Sequence, residues 1–162
     1  MVKKVFVIPD RCMGCEECIE ACAREHGGIA LNYIVPVKKL YFMPIRCAHC
    51  ADAPCLRVCP TDAIAMNEFG AIVIQKEKCI GCGFCLLVCP FGVPRTGPDG
   101  KMMKCELCSD KLRNGEIPAC VESCPTDALV FEEDIEYGGR KRERIAQKLI
   151  EGSSAGSLII RR

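Results

Sequence analysis

Apolar and polar residues change places in short bursts along this chain, and no apolar run is long. Lys3 to Ile8 predicts a strand. Tyr33 to Phe42 predicts a second strand or extended segment. Ile64 to Met66 and Ala71 to Ile74 flank Asn67-Glu68-Phe69-Gly70, the pattern of a β-hairpin in which Gly70 relaxes the turn. The hexapeptide Cys59-Pro60-Thr61-Asp62-Ala63-Ile64 recurs as Cys124-Pro125-Thr126-Asp127-Ala128-Leu129, and each copy leads into a stretch of strand character. Glu132-Glu133-Asp134 is acidic. Arg140 to Glu151 reads as a basic helix with Ile145, Leu149 and Ile150 near one face. Gly152-Ser153-Ser154-Ala155-Gly156 breaks that helix, and Ser157 to Arg162 is a short apolar end. No run approaches the roughly 20 apolar residues that span a bilayer.

Composition changes the picture at one residue type. The 162 residues include 16 cysteines. They fall into four groups: Cys12, Cys15, Cys18 and Cys22; Cys47, Cys50, Cys55 and Cys59; Cys79, Cys82, Cys85 and Cys89; Cys105, Cys108, Cys120 and Cys124. The third group has the C-x2-C-x2-C-x3-C-P spacing of bacterial ferredoxins, whose fourth cysteine serves the other cluster. Three thiolates within seven residues can curl around one cubane, and the next cysteine stands about one helical turn on. Pro60, Pro90 and Pro125 follow the last cysteine of groups two to four and end the short helix there. Group one has Ala23 instead, so its helix is expected to run on through Arg24 and Glu25.

Other readings of the cysteines are weaker. A disulfide scaffold needs an oxidising compartment. Met1 to Asp10 has two lysines but only the short apolar stretch Val5 to Ile8, so it is not expected to be a signal peptide. Four-cysteine zinc sites use two separated pairs, whereas groups one and three gather three cysteines in one tight loop. Colour separates these metals, since cubanes are brown and zinc thiolates colourless.

There is no Trp, and Phe and Tyr number 6 and 3, so the clusters themselves are expected to serve as core. The formal charge of +1 becomes −7 if four sites each add −2. No basic stripe with interleaved aromatics supports nucleic-acid binding. There is no nucleophile–base set, and Gly81, Gly83, Gly92 and Gly97 form no dinucleotide loop. Cysteine loops, short helices and hairpins alternate, as in a small α+β ferredoxin unit used twice.

From about residue 4 to 131 the chain resembles the four-cluster electron-transfer subunits of bacterial and archaeal oxidoreductases. These include the B subunit of dimethyl sulfoxide reductase, formate dehydrogenase β subunits, hydrogenase-associated components and the iron–sulfur subunit paired with carbon monoxide dehydrogenase. Arg46-Cys47-Ala48-His49-Cys50, Ala53-Pro54-Cys55, Cys79-Ile80-Gly81-Cys82, Cys89-Pro90-Phe91-Gly92-Val93-Pro94 and Lys104-Cys105-Glu106-Leu107-Cys108 carry the likeness. It implies four [4Fe–4S] clusters with crosswise ligation. Cys12, Cys15 and Cys18 would share a cluster with Cys124, and Cys105, Cys108 and Cys120 one with Cys22. Cys47, Cys50 and Cys55 would share one with Cys89, and Cys79, Cys82 and Cys85 one with Cys59. An inner ferredoxin-like unit over 43–97 and a discontinuous outer unit of 1–42 with 98–131 follow, with a C-terminal tail over 132–162.

The resemblance further implies a non-catalytic, cytoplasmic electron-transfer subunit. It would relay single electrons between a catalytic oxidoreductase subunit and a second redox donor or acceptor. The catalytic partner would be a formate dehydrogenase, an aldehyde oxidoreductase, a hydrogenase or a carbon monoxide dehydrogenase. The last is favoured by general likeness around Glu25-His26-Gly27-Gly28. A free-standing polyferredoxin and a zinc-held interaction module are the alternatives. His49 is expected to be a structural loop histidine, with cluster tuning as the other role. His26 is expected at a helix end before a glycine cap, with a partner contact as the other role. Lys104 either raises a cluster potential or is a solvated charge. The tail either packs on its own domain or docks on a partner or a second copy.

Overall fold

The computed structural model describes residues 2–37 and 41–152. Strand β1 (Lys3–Val7) runs into a single 3-10 turn at Pro9–Arg11. Helix α1 (Glu17–Glu25) then carries Cys18, Ala21 and Cys22 on its buried side. It continues past Cys22 because Ala23 keeps its N–H where proline would not. It stops where the Gly28 N–H, at φ 87°, returns to the Ala23 carbonyl at 2.8 Å.

The segment expected as one strand is two. β2 (Tyr33–Val37) pairs antiparallel with β3 (Tyr41–Ile45), Tyr33 opposite Ile45 and Val37 opposite Tyr41. Pro36 and Pro44 fit because each strand of a two-stranded sheet has a free edge, where a missing N–H costs nothing.

Single turns of helix carry the later cysteines. α2 (Pro54–Arg57) holds Cys55. The expected hairpin follows, β4 (Ile64–Met66) against β5 (Ile72–Ile74), with Gly70 at φ 71°. The Asn67 side-chain oxygen braces its turn by accepting the Phe69 and Ala71 N–H groups at 3.0 and 2.9 Å. α3 (Phe84–Leu87) holds Cys85. A small hairpin of β6 (Arg95–Thr96) and β7 (Met102–Met103) comes next. α4 (Ser109–Arg113) follows Cys108, and α5 (Ala119–Glu122) holds Cys120 and lies against α1.

β8 (Leu129–Glu133) returns to the start of the chain and pairs antiparallel with β1, from Lys3 opposite Glu133 to Val7 opposite Leu129. Short helices and small antiparallel strand pairs therefore make an α+β architecture. Two apolar clusters hold it. One gathers Val5, Cys18, Ala71, Leu107, Cys120 and Leu129, and the other Ala53, Ile64, Ile72, Cys85 and Met102. Cysteines stand in both among the aliphatic side chains, so thiols serve as core-filling groups here.

α6 (Asp134–Gly152) begins six residues before the expected Arg140. Gly138 and Gly139 are poor helix formers. Tertiary contact outweighs them: the Tyr137 ring stacks on Phe6 with centroids 4.1 Å apart, and its hydroxyl donates to the Val7 carbonyl at 3.2 Å. Arg140 pairs with Glu132, and Lys148 reaches Asp10 at 2.8 Å. Ile145 and Leu149 remain exposed. The start of the tail thus packs on its own domain while its apolar outer face does not. The expected break at 152–156 falls largely, and the apolar end at 157–162 wholly, outside the described residues. No helix among the described residues is long and apolar enough to cross a membrane.

Candidate metal centres

All four cysteine groups share one backbone device. The residue before the second cysteine has positive φ in each: Gly14 at 74°, His49 at 44°, Gly81 at 71° and Leu107 at 63°. A left-handed residue at this place turns successive backbone N–H groups to one side. That makes the anion-binding concavity characteristic of Fe–S sites. Glycine takes this conformation without cost, whereas a leucine there is strained. The repeated hexapeptide is also a repeated conformation, with Asp62 and Asp127 both at φ 50°.

These loops bring thiols together from distant segments. A small cavity is lined by Cys59, Cys79, Cys82 and Cys85, with Ile80 and Phe84. A second is lined by Cys47, Cys50, Cys55 and Cys89, with Phe91 and Lys104. Around Cys18, burial first and then the thiolates of Cys124, Cys12 and Cys15 push its thiol up to about 11. Burial pushes Cys108 up to about 12, with Cys105 and Cys22 adding repulsion. Cys120 is raised by burial, opposed by Arg46, and raised again by Cys105, Cys108 and Cys22. Cys22 is thus near Cys105, Cys108 and Cys120, while Cys18, four residues before it, is near Cys12, Cys15 and Cys124. Each set contains three cysteines of one group and the last cysteine of another.

Pairwise contacts link the sets one to the next, like a row. Cys47 feels Cys105, which joins the second-group set to the fourth-group set. Cys85 feels Cys55, which joins the two inner sets. Cys18 and Cys22 share α1, which joins the remaining pair. Cys15 and Cys82, in the two sets at the ends of the row, are exposed; every other cysteine is buried or half-buried.

Donors converge on the sulfurs. N–H groups of Leu31, Ala63 and Met102 reach Cys22, Cys59 and Cys79 at 3.3, 3.3 and 3.4 Å. The Thr61 and Thr126 hydroxyls lie 3.8 Å from Cys59 and Cys124. Burial pushes those two thiols up, but hydrogen bonds outweigh it and leave both below the usual range. A thiolate that already accepts hydrogen bonds is prepared for a cationic core.

Three basic residues stand close to the thiol sets. Lys104 is not a solvated charge but is buried, and its ammonium donates to Cys47 Sγ at 3.4 Å. Arg46 is buried and directs Nη2 toward Cys105 Sγ at 3.9 Å. His26 does more than end a helix. Its Nδ1 lies 2.7 Å from the Cys22 carbonyl, and Nε2 lies 3.4 Å from a Glu106 carboxylate oxygen. Interaction with Cys22 and then Glu106 pushes it up to about 11. His49 accepts the Ile72 N–H on Nδ1 at 3.0 Å, the structural role expected. Burial, then Lys104 and Arg46, hold it down to about 2, so it is neutral.

The donor sets fit iron–sulfur clusters. Eight of the sixteen thiols line two open spaces in fours. Among the described residues no three Cys, His, Asp or Glu side chains gather tightly enough for one ion. Arg46 Nε and His49 Nε2 are buried without partners, and both can donate to cluster sulfur.

Residues 38–134 match the family of 4Fe-4S dicluster domains. The chain is 38% identical over 141 residues to the thiosulfate reductase electron transfer subunit of Salmonella typhi, covering 75% of this chain and 70% of that one. It is 32% identical to the formate dehydrogenase iron-sulfur subunit of Wolinella succinogenes, covering 96% and 92%. It is 34% identical over 149 residues to the B subunit of the anaerobic dimethyl sulfoxide reductase of Escherichia coli, covering 78% and 71%.

Proposed function

The chain belongs to the 4Fe-4S dicluster domain family, as an iron–sulfur electron-transfer subunit and not a catalytic one, and from that premise we propose a four-cluster relay. Its sixteen cysteines would hold four [4Fe–4S] clusters in the four sets described above, arranged as two ferredoxin-like units. The inner would be 43–97, and the outer 1–42 with 98–131. The observation that carries this is the pair of cavities lined by Cys47, Cys50, Cys55 and Cys89 and by Cys59, Cys79, Cys82 and Cys85. Neither set is contiguous in sequence, and each has four thiols.

When bound, each cluster supplies one-electron chemistry between 2+ and 1+ core states. The chain's residues do the rest. The thiolates fix the irons, backbone N–H groups and two threonine hydroxyls offset negative charge on sulfur, and aliphatic side chains exclude water. The row runs from the Cys12 set through the Cys22 and Cys47 sets to the Cys59 set. Cys15 and Cys82, exposed at its two ends, mark where electrons enter and leave.

The relatives named above belong by name to thiosulfate reductase, formate dehydrogenase and dimethyl sulfoxide reductase. We therefore propose a catalytic partner of that kind, with a second redox subunit at the far end. A carbon monoxide dehydrogenase partner has no support among them. The cytoplasm is the proposed location.

Iron and sulfide analysis of anaerobically purified protein tests the reading. Four clusters of four give sixteen of each per chain. Reproducible values near twelve would remove one site, and zinc in place of iron would sink the proposal.

A further inference from the structure

Arg46 and Lys104 are the lysine and arginine side chains that are buried among the described residues, 7% and 5% exposed. Both lie between the same two thiol sets. The Lys104 ammonium donates to Cys47 Sγ at 3.4 Å, to the Cys105 carbonyl at 3.0 Å and to the Ile72 carbonyl. The Arg46 guanidinium donates to the Val5 carbonyl at 2.7 Å and faces Cys105 Sγ. Lys104 acts on Cys47 and Cys55, and Arg46 on Cys120. Among the described residues neither forms an ion pair with a carboxylate, and Glu106 is the carboxylate that feels Lys104. The third buried basic residue here, His49, is neutral.

Two buried cations without carboxylate partners are costly unless another negative charge faces them. The thiolate sets on either side are that charge, since a loaded site carries −2. The central sets also contain no exposed cysteine, unlike the two at the ends. Burial in a poorly solvated interior disfavours adding an electron, which takes a site from −2 to −3. Fixed positive charge and donors to sulfur favour it.

We propose that Arg46 and Lys104 form a buried dication that raises the reduction potentials of the two central clusters, so that the enclosed middle of the relay is not a barrier between its surface ends. This rests on the four-cluster reading. The dication acts through the sulfurs and is a tuning element, with no step of its own.

Lys104→Met keeps the length of the side chain and removes the charge. The test is a redox titration of the full chain, followed by EPR of the reduced clusters, with iron content measured on the same samples. Cys89→Ser and Cys22→Ser mark the two central signals. In Lys104→Met the midpoint of the Cys47 set falls by at least a tenfold change in its reduction equilibrium, 59 mV for one electron. The Cys22 set falls by less, the two terminal midpoints stay, and Lys104→Arg restores the pattern. Four unmoved midpoints, or four that move alike, overturn the dication. If Lys104→Met does not retain iron, Arg46→Gln reads the same charge from the other side. Its Cys22-set midpoint must fall, and an unmoved one overturns the inference. Wild-type iron below sixteen would instead count against the four-cluster reading, while the response of the remaining central midpoints still judges the dication.

Discussion

Gly81 has two reasons to lack a side chain. Its φ of 71° disfavours any L side chain, and a Cβ there would run into the carbonyl oxygen of Gly100. Gly83, two residues on, has a similar φ of 77° but open space around it. The two positions therefore separate strain from collision. Gly83→Ala is expected to cost about 1–2 kcal/mol and to keep full iron. Gly81→Ala must move the backbone at 100, and its iron is expected to fall by about a quarter through loss of the Cys59 set. Equal iron in both variants would show that the approach of Gly100 is not needed. The left-handed turn of these loops was not read from the sequence, although C-x-G-C at Gly14 and Gly81 could have signalled it. Leu107 and His49 take the same conformation, and nothing in their chemistry announces it. Arg46 was equally hidden, and for Lys104 the sequence left a solvated charge open beside a role at a cluster, since burial of a basic residue beside a cysteine shows only when the partner loops close over it.

At the scale of elements, the strands and the cysteine helices were legible where periodicity and turn chemistry agreed, as in β4–Gly70–β5. The β2–β3 hairpin was not, because Lys38-Lys39-Leu40 carries no turn signal between two apolar, proline-containing runs. The start of α6 was hidden by Gly138 and Gly139, whose low helix propensity is overridden by the contact of Tyr137 with Phe6. That contact divides α6 into a packed beginning and an exposed outer face with Ile145 and Leu149. Two variants should behave as opposites. Tyr137→Ala removes a half-buried stacked ring and a hydroxyl donor, at about 2 kcal/mol. Its thermal midpoint is expected to fall by about 4–8 °C with partner binding kept. Removing residues 142–162 leaves Tyr137 in place, so iron and thermal midpoint should hold while co-purification with a catalytic partner weakens. Unweakened co-purification would return the whole tail to a structural extension.

For the whole molecule, regular structure is too slight to stand alone. Two-stranded sheets are marginal in water, and helices of four or five residues do not form by themselves. Both apolar clusters include cysteines. Iron removed by a chelator under reducing conditions is therefore expected to abolish the cooperative thermal transition seen by circular dichroism. A transition that survives would show a core independent of the metal. The pairing of β1 with β8 has a consequence for biosynthesis. Ribosomes release this chain from its first residues onward, so β4 meets β5, and Cys59 meets Cys79, while later segments are still being made. β1 must wait, without its partner, until Leu129–Glu133 emerges. Cys22 likewise waits for Cys105, and Cys18 for Cys124. The protein is thus set to mature from its middle outward, and a nascent chain that has left the ribosome just past Cys89 would already expose the second and third cysteine groups complete while its N-terminal thiols still stood unprotected.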